Sequence, residues 1–215
     1  MTDITVYGVP GSPYLRAALM GLEEKNAPYI LVRMAPGETK RPDHLERHPF
    51  GRIPVMEHGD FRLYETQAIL RYVDAVFPGI SLRPEDPRAA ARMDQMIGIV
   101  DWYFFRDVSA TIGFNRIVAP AFGMPVDEGV VAAAIPKAEL CARAISGLIA
   151  DNPYVAGNGV TIADLMLAPQ MEFLSMTPEG AEILAPYPRL GAWLTRMQGR
   201  DSMRRTTWQA LAKAA

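Results

Sequence analysis

The hydrophobic period of the chain changes once, near residue 77, and that change limits the possible fold more than any other feature. Before it, short strand-like apolar runs alternate with helical ones. "ITVY" reads as a strand, Leu15 to Glu24 as a helix, and "YILVRM" as a second strand, parallel to the first if the helix is its crossover. "RIPVMEH" and "FRLY", joined by Gly59-Asp60, read as a hairpin with Asp at the second turn position. "TQAILRYVDAVF" then puts Ile69, Leu70, Val73 and Val76 at helical spacing. The expected order is βαβ followed by ββα, an α/β unit over residues 1–77.

From Pro87 onward the runs are long and helical, with no convincing strand. Met93, Ile97, Val100, Phe104 and Val108 fall on one face, and further helical runs cover roughly 127–150, 161–175, 188–200 and 202–213. The Pro- and Gly-containing "FPGISLRPEDP" supplies a linker at 78–86. The expectation is an all-α domain over 87–215, with no internal repeat.

With 49% hydrophobic and 21% charged residues, the composition is ordinary for a globular protein. Residues up to 77 carry 9 Lys/Arg against 10 Asp/Glu, the rest 13 against 14, so neither half has the basic footprint that nucleic acid demands. No apolar stretch approaches the ~20 residues that span a bilayer, and "MTDITVYG" lacks the pattern of a secretory signal. A soluble cytoplasmic protein is expected. The single cysteine, Cys141, excludes an intrachain disulfide, and its place on an apolar helical stripe suggests a buried, inert thiol. Histidines 44, 48 and 58 have no metal-site spacing, so no metal is expected.

Pro54 opens a strand in "GRIPVMEHG", a position that normally demotes a central strand. A cis Ile53–Pro54 bond at the strand entrance keeps the strand and leaves the Ile53 backbone N–H and C=O free to pair with an extended peptide-like ligand. An edge-strand or turn proline is the alternative. Eleven residues later Glu65 and Thr66 open a helix. A helix N-terminus attracts a carboxylate, Thr66 can add a hydroxyl donor, and Glu65 can accept from an ammonium. The pair suits the two ends of an α-amino acid, although simple capping would use the same residues.

On these residues the sequence resembles the cytosolic glutathione transferase family, whose glutathione-binding stretch is similar to "HPFGRIPVMEHGDFRLYETQAILRY" almost from end to end. The resemblance extends over essentially the whole chain and is thinner beyond residue 90. It implies a thioredoxin-like N-terminal domain, an all-helical C-terminal domain and glutathione as co-substrate. It places the cis-proline on Pro54, the backbone pairing on Ile53, and the γ-glutamyl contacts on Glu65 and Thr66. Lys40 falls where a basic residue can meet the glycine carboxylate, Arg52 replaces a frequent Gln or Lys, and Thr39 stands where theta- and phi-like members often carry a histidine. Phe50 matches an aromatic key that some classes insert into a partner subunit, which implies a homodimer. "NGVTIADLMLAP" resembles the family's capping box, with Thr161 as N-cap and Asp164 three residues on.

A glutathione thiol should titrate near 8.5, so lowering it by two units requires about 2.7 kcal/mol of selective thiolate stabilisation. A helix N-terminus supplies roughly 0.3–1 kcal/mol, up to ~2 when partly buried. A hydrogen bond to a charged group adds roughly 1.5–3 kcal/mol, so the two together suffice. Ser12 can provide both if it ends the loop "GVPGSPYLR", with Pro13 at the first helical position. The spacing Ser12-x-x-x-Arg16 resembles the serine motif of theta- and phi-like classes. Tyr7, at the end of the first strand, is the rival donor.

"DWYFFRD" holds more aromatics than one core face can bury. Tyr103, Arg106 and Phe114 are candidate contacts for a hydrophobic electrophile, and Met124 and Trp208 are further possibilities. The expected function is glutathione transfer to an electrophilic carbon, with peroxidase or dehalogenase chemistry open at the same site. The alternative is a non-catalytic glutathione-binding or protein-interaction domain.

Overall fold

The structure, a computed structural model, describes residues 4–213. They divide into two compact units, one within Met1–Leu82 together with Gly199–Ala215, the other Arg83–Gln198.

In the first unit, β1 (Ile4–Gly8), α1 (Pro13–Glu24) and β2 (Tyr29–Arg33) form the βαβ, with β1 and β2 parallel. A 3-10 turn at Glu38–Lys40 and the short α2 (Pro42–Arg47) lead to the hairpin β3 (Val55–His58) and β4 (Phe61–Tyr64), then α3 (Thr66–Val76). The sheet order is β2-β1-β3-β4, antiparallel from β1 through β4. His58 pairs with Phe61, so the hairpin loop is the two residues Gly59-Asp60, with Gly59 at φ +64°. Ile4 and Val6 alternate onto one sheet face and bury there with Leu15, Leu19 and Leu22 of α1, Met56, and Ile69 and Val73 of α3. Thr5 and Tyr7 take the other face.

The chain returns to this unit after residue 198. The expected helix at 202–213 is two short helices, α10 (Asp201–Arg205) and α11 (Trp208–Lys213), both within the unit that holds the sheet. Arg200 grips Glu24 in a fork at 2.7 and 2.6 Å, and Ser202 donates to the same carboxylate. Arg16, buried in α1, donates to the Met203 carbonyl at 3.1 Å, and Leu211 joins the core beneath the sheet. The boundary drawn from periodicity at residue 87 therefore misses a C-terminal segment that belongs with the sheet. Helical period reports a helix but not its neighbours.

In the second unit α4 (Pro87–Ile99) runs into a π-helix at Val100–Val118, closed by the three-residue α5 (Ala119–Ala121). The i→i+5 bond of that helix persists at its end, where Ala119 N–H donates to Phe114 O. Then follow α6 (Glu128–Ile149), α7 (Ile162–Ser175), α8 (Pro178–Leu184) and α9 (Pro188–Gln198). Buried Val100, Phe104, Val108 and Ile112 continue the stripe expected from the sequence. Predominantly apolar, α7 is buried along most of its length. Its N-terminus rests on Asp164, whose buried carboxylate accepts from the Thr161 N–H (2.8 Å) and hydroxyl (2.7 Å), the Val155 N–H (2.9 Å) and the Trp193 indole (2.8 Å). Burial pushes the Asp164 carboxyl above its ordinary pKa, and these four donors oppose the rise. Cys141 is buried in α6, where burial lifts its thiol to about 11. Among the described residues no helix is long and apolar enough to cross a membrane.

Candidate active site

Strand register brings the candidate residues of the first unit to one end of the sheet. Tyr7 pairs with Val55, so the loop that follows β1 and carries Ser12 emerges beside Pro54. Val55 pairs with Tyr64, so Glu65 leaves β4 on the other side of Pro54. β2 is parallel to β1 and ends at the same edge, feeding the segment that carries Lys40. Four loops that are distant in sequence thus converge through hydrogen-bond pairing alone.

The Ile53–Pro54 bond is cis, and Pro54 is buried at the entrance of β3, an internal strand. Ile53 is half-buried beside it and Arg52 is exposed. Glu65 occupies the N-cap position of α3 at φ +70°, ψ 112°, a conformation that an L side chain rarely adopts. Such strain costs of order 1–3 kcal/mol and collects at ligand clamps. The Glu65 carbonyl accepts from Ala68 and Ile69, which starts the helix, while its side chain stays exposed and Thr66 is buried behind it. His48 stacks on Tyr64 with ring centroids 4.5 Å apart. Burial pushes the His48 pKa down, opposed by the nearby Glu65 carboxylate.

Ser12 caps α1, with Pro13 as its first residue. Its hydroxyl oxygen accepts from Leu15 N–H at 3.5 Å, a long bond. Capping uses an oxygen lone pair, so the hydroxyl proton stays available to donate. Capping and thiolate stabilisation are compatible in one side chain. Trp208, which the sequence places in the helical half, belongs to the sheet unit. Its exposed indole lies over Gly11, where a Cβ would stand 3.0 Å from the ring.

Tyr7 is engaged elsewhere. Its hydroxyl donates to Glu57 Oε2 at 2.8 Å, and the Arg47 guanidinium sits 4.7 Å from the ring centroid. Burial first, then Glu57, pushes its pKa above the ordinary tyrosine value. A cavity of about 180 Å³ lies near this face, with Tyr7, Arg33, Glu38, His44 and Arg47 among its lining residues. Neither Ser12, Ile53 nor Glu65 lines it. In the helical unit Tyr103, Arg106 and Phe114 are all exposed, and Arg106 forks onto Asp107. Among the described residues no group of His, Cys, Asp and Glu could hold a metal ion.

The family models of the glutathione S-transferase N-terminal and C-terminal domains match residues 2–75 and 128–196. A rice protein, probable glutathione S-transferase GSTF2, is 30% identical over 94% of each sequence. The chain belongs to the cytosolic glutathione transferase family. Among solved structures, glutathione transferase F7 from Populus trichocarpa superposes with a TM-score of 0.85 at 28% identity, over 94% of this chain and 97% of that one. Maize glutathione S-transferase I in complex with an atrazine glutathione conjugate gives 0.84 at 27% identity over the full length of both. As a glutathione transferase, the chain takes glutathione as its co-substrate, and its α/β unit is thioredoxin-like. Sequence reading did not anticipate His44, whose buried ring donates to the transferase's Arg52 carbonyl. Its surroundings, "KRPDHLERH", are mostly charged and too short to show a period.

Proposed function

We propose that this transferase activates glutathione at Ser12 and delivers the thiolate to a hydrophobic carbon electrophile. Ile53 pairs with the cysteinyl backbone, Pro54 holds that segment open, and Glu65 with Thr66 receives the γ-glutamyl end. Lys40 and Arg52 meet the glycine carboxylate. The observation that carries this reading is the convergence, by strand register, of the Ser12 loop, Pro54 and Glu65 at one end of the sheet. The Ser12 hydroxyl donates a hydrogen bond to the developing thiolate and keeps its proton, while the thiol proton leaves to solvent. The sulfur then forms a C–S bond as the electrophile's leaving group departs. Two contributions oppose thiol protonation: the first turn of α1 and the charge-assisted hydrogen bond.

Tyr103, Arg106 and Phe114 are proposed electrophile contacts, and Trp208 joins them as an exposed aromatic beside the Ser12 loop. The atrazine conjugate held by the maize relative supports a carbon electrophile. We further propose a cytoplasmic homodimer with a detoxifying role, Phe50 being the subunit contact. Its ring is 68% exposed and edge-on to His48 and Tyr64, not part of the core.

The test is titration of enzyme-bound glutathione by thiolate absorbance, in wild type and Ser12→Ala. The serine should hold the bound thiol near pKa 6.5, and its loss should raise that value by about one to two units, given ~1.4 kcal/mol per unit. An unchanged value in Ser12→Ala removes the serine from the mechanism. Glutathione binding without turnover of aryl halides, isothiocyanates or hydroperoxides would reduce the chain to a binding module.

A further inference from the structure

We infer that His44 is a positioning residue for glutathione, aiming the Ile53 backbone through the Arg52 carbonyl. The inference rests on the reading of Ile53–Pro54 as the cysteinyl-binding segment.

His44 lies on α2, 1% exposed, and its Nε2 is 2.7 Å from the Arg52 carbonyl oxygen. A carbonyl oxygen can only accept, so Nε2 carries the proton and donates. The carbonyl of Arg52 and the N–H of Ile53 belong to one planar trans peptide unit and point in opposite directions. Fixing the carbonyl on His44 therefore fixes the direction of the Ile53 N–H, the donor offered to the ligand. The other ring nitrogen, Nδ1, is buried without a hydrogen-bond partner. A ring kept only for packing gains nothing from an unpaired nitrogen, and a hydrocarbon ring would fill the space without that penalty. The Arg52 bond is what the imidazole supplies and phenylalanine cannot.

The residues flanking α2 meet the segment at two further points. Gly51 N–H donates to the His48 carbonyl at 2.8 Å. The 3-10 turn before α2 rests on Gly51 so closely that a Cβ there would stand 2.8 Å from the Thr39 carbonyl and 3.2 Å from Lys40 Nζ. Gly51 has φ +58°, which excludes most side chains independently. Residues 39–48 and 51–53 therefore form one tied block, with Lys40 at one end and the Ile53 amide at the other. His44 supplies the block's side-chain tie to the Arg52–Ile53 peptide.

The test compares wild type, His44→Phe and His44→Gln, the last retaining a side-chain N–H donor. Glutathione KM and calorimetric Kd, kcat with 1-chloro-2,4-dinitrobenzene, and Tm are measured for each. His44→Phe should raise KM and Kd for glutathione about tenfold while kcat and the electrophile KM stay within twofold. His44→Gln should return KM to within threefold of wild type. Unchanged glutathione affinity in folded His44→Phe overturns the inference, and so does a Gln variant that binds no better than Phe. Should His44→Phe fail to fold, histidine nitrogen spectra of the wild type decide: a proton on Nε2 supports the role and a proton on Nδ1 alone overturns it. Glu65→Gln separates the two levels of the reading. If it weakens glutathione and His44→Phe does not, only the His44 role falls; if neither matters, the assignment of the glutathione site itself is wrong.

Discussion

The Tyr7 hydroxyl donates to Glu57 Oε2 at 2.8 Å, and that bond favours Ser12 over Tyr7 in the proposed mechanism. A phenol donating to a carboxylate has its proton committed, and its raised pKa keeps that proton in place across a wider pH range. Transfer of the donor bond to a thiolate would leave Glu57 facing Arg47 and Arg62 only. Tyr7→Phe should therefore leave the bound-thiol pKa unchanged and kcat within about twofold. Ser12→Ala should lower kcat by roughly 10–100-fold at pH 6.5, matching the loss of a charge-assisted bond. Steady-state kinetics on both variants from pH 6 to 9 check this, and the Ser12→Ala deficit should shrink as pH rises and glutathione ionises unaided.

Glu65 trades backbone strain for a charged side chain at the helix start. At φ +70° a glycine would sit without the penalty an L residue meets. Glu65→Gly should raise Tm by a few degrees, equivalent to about 1 kcal/mol, and raise the glutathione KM at least tenfold. Glu65→Gln keeps the strained backbone, so it should raise KM without the gain in Tm. Differential scanning calorimetry beside glutathione kinetics distinguishes the two outcomes.

What the sequence made legible is what local chemistry encodes. Period-two and period-3.6 patterns fixed the βαβ and ββα order because each signal lies within about a dozen residues. Pro54 and Glu65-Thr66 stood out because a proline at a strand entrance and a helix start after a hairpin are both local anomalies. The Arg200–Glu24 fork joins residues 176 apart in sequence, so no period announced that the C-terminal segment returns to the sheet. Tyr7 with Glu57 and His44 with the Arg52 carbonyl are equally invisible, because each depends on which sheet face or loop a side chain meets. The short α8 was missed because "TPEGAEIL" offers a capping threonine and a proline but too few turns to show a period.

Asp164 accepts four buried hydrogen bonds in the helical unit and is not among the residues proposed for catalysis. Asp164→Ala strands the Thr161, Val155 and Trp193 donors in the interior, each a desolvation cost of roughly 1–3 kcal/mol if left unpaired. With partial relaxation the loss should be about 3 kcal/mol, or ~10 °C in Tm. The folded fraction should keep its glutathione KM at low temperature. A melt within 2 °C of wild type would contradict the structural role.

Phe50 presents an exposed aromatic ring, and its proposed partner is a second copy of the chain. Burying a phenylalanine side chain contributes about 2 kcal/mol, and a twofold dimer buries two, so about 4 kcal/mol or close to a thousandfold in a dissociation constant. Wild type should sediment as a dimer at micromolar concentration, and Phe50→Ala should shift the equilibrium toward monomer by about that factor. A monomeric wild type would remove Phe50 from any interface.

Trp208 provides the last separation, between the two substrates. Its indole is exposed and lies over Gly11, one residue before Ser12, and it is not among the residues proposed to bind glutathione. An aromatic face in that position can contact a flat hydrophobic electrophile approaching the sulfur. Trp208→Ala should raise the KM of an aryl halide about tenfold, equivalent to ~1.4 kcal/mol of lost contact, and leave the glutathione KM within twofold. If the indole serves only to pack α11 against the Ser12 loop, Tm should fall while the electrophile KM stays put. Measuring both constants and the melt on one preparation settles which role the indole has.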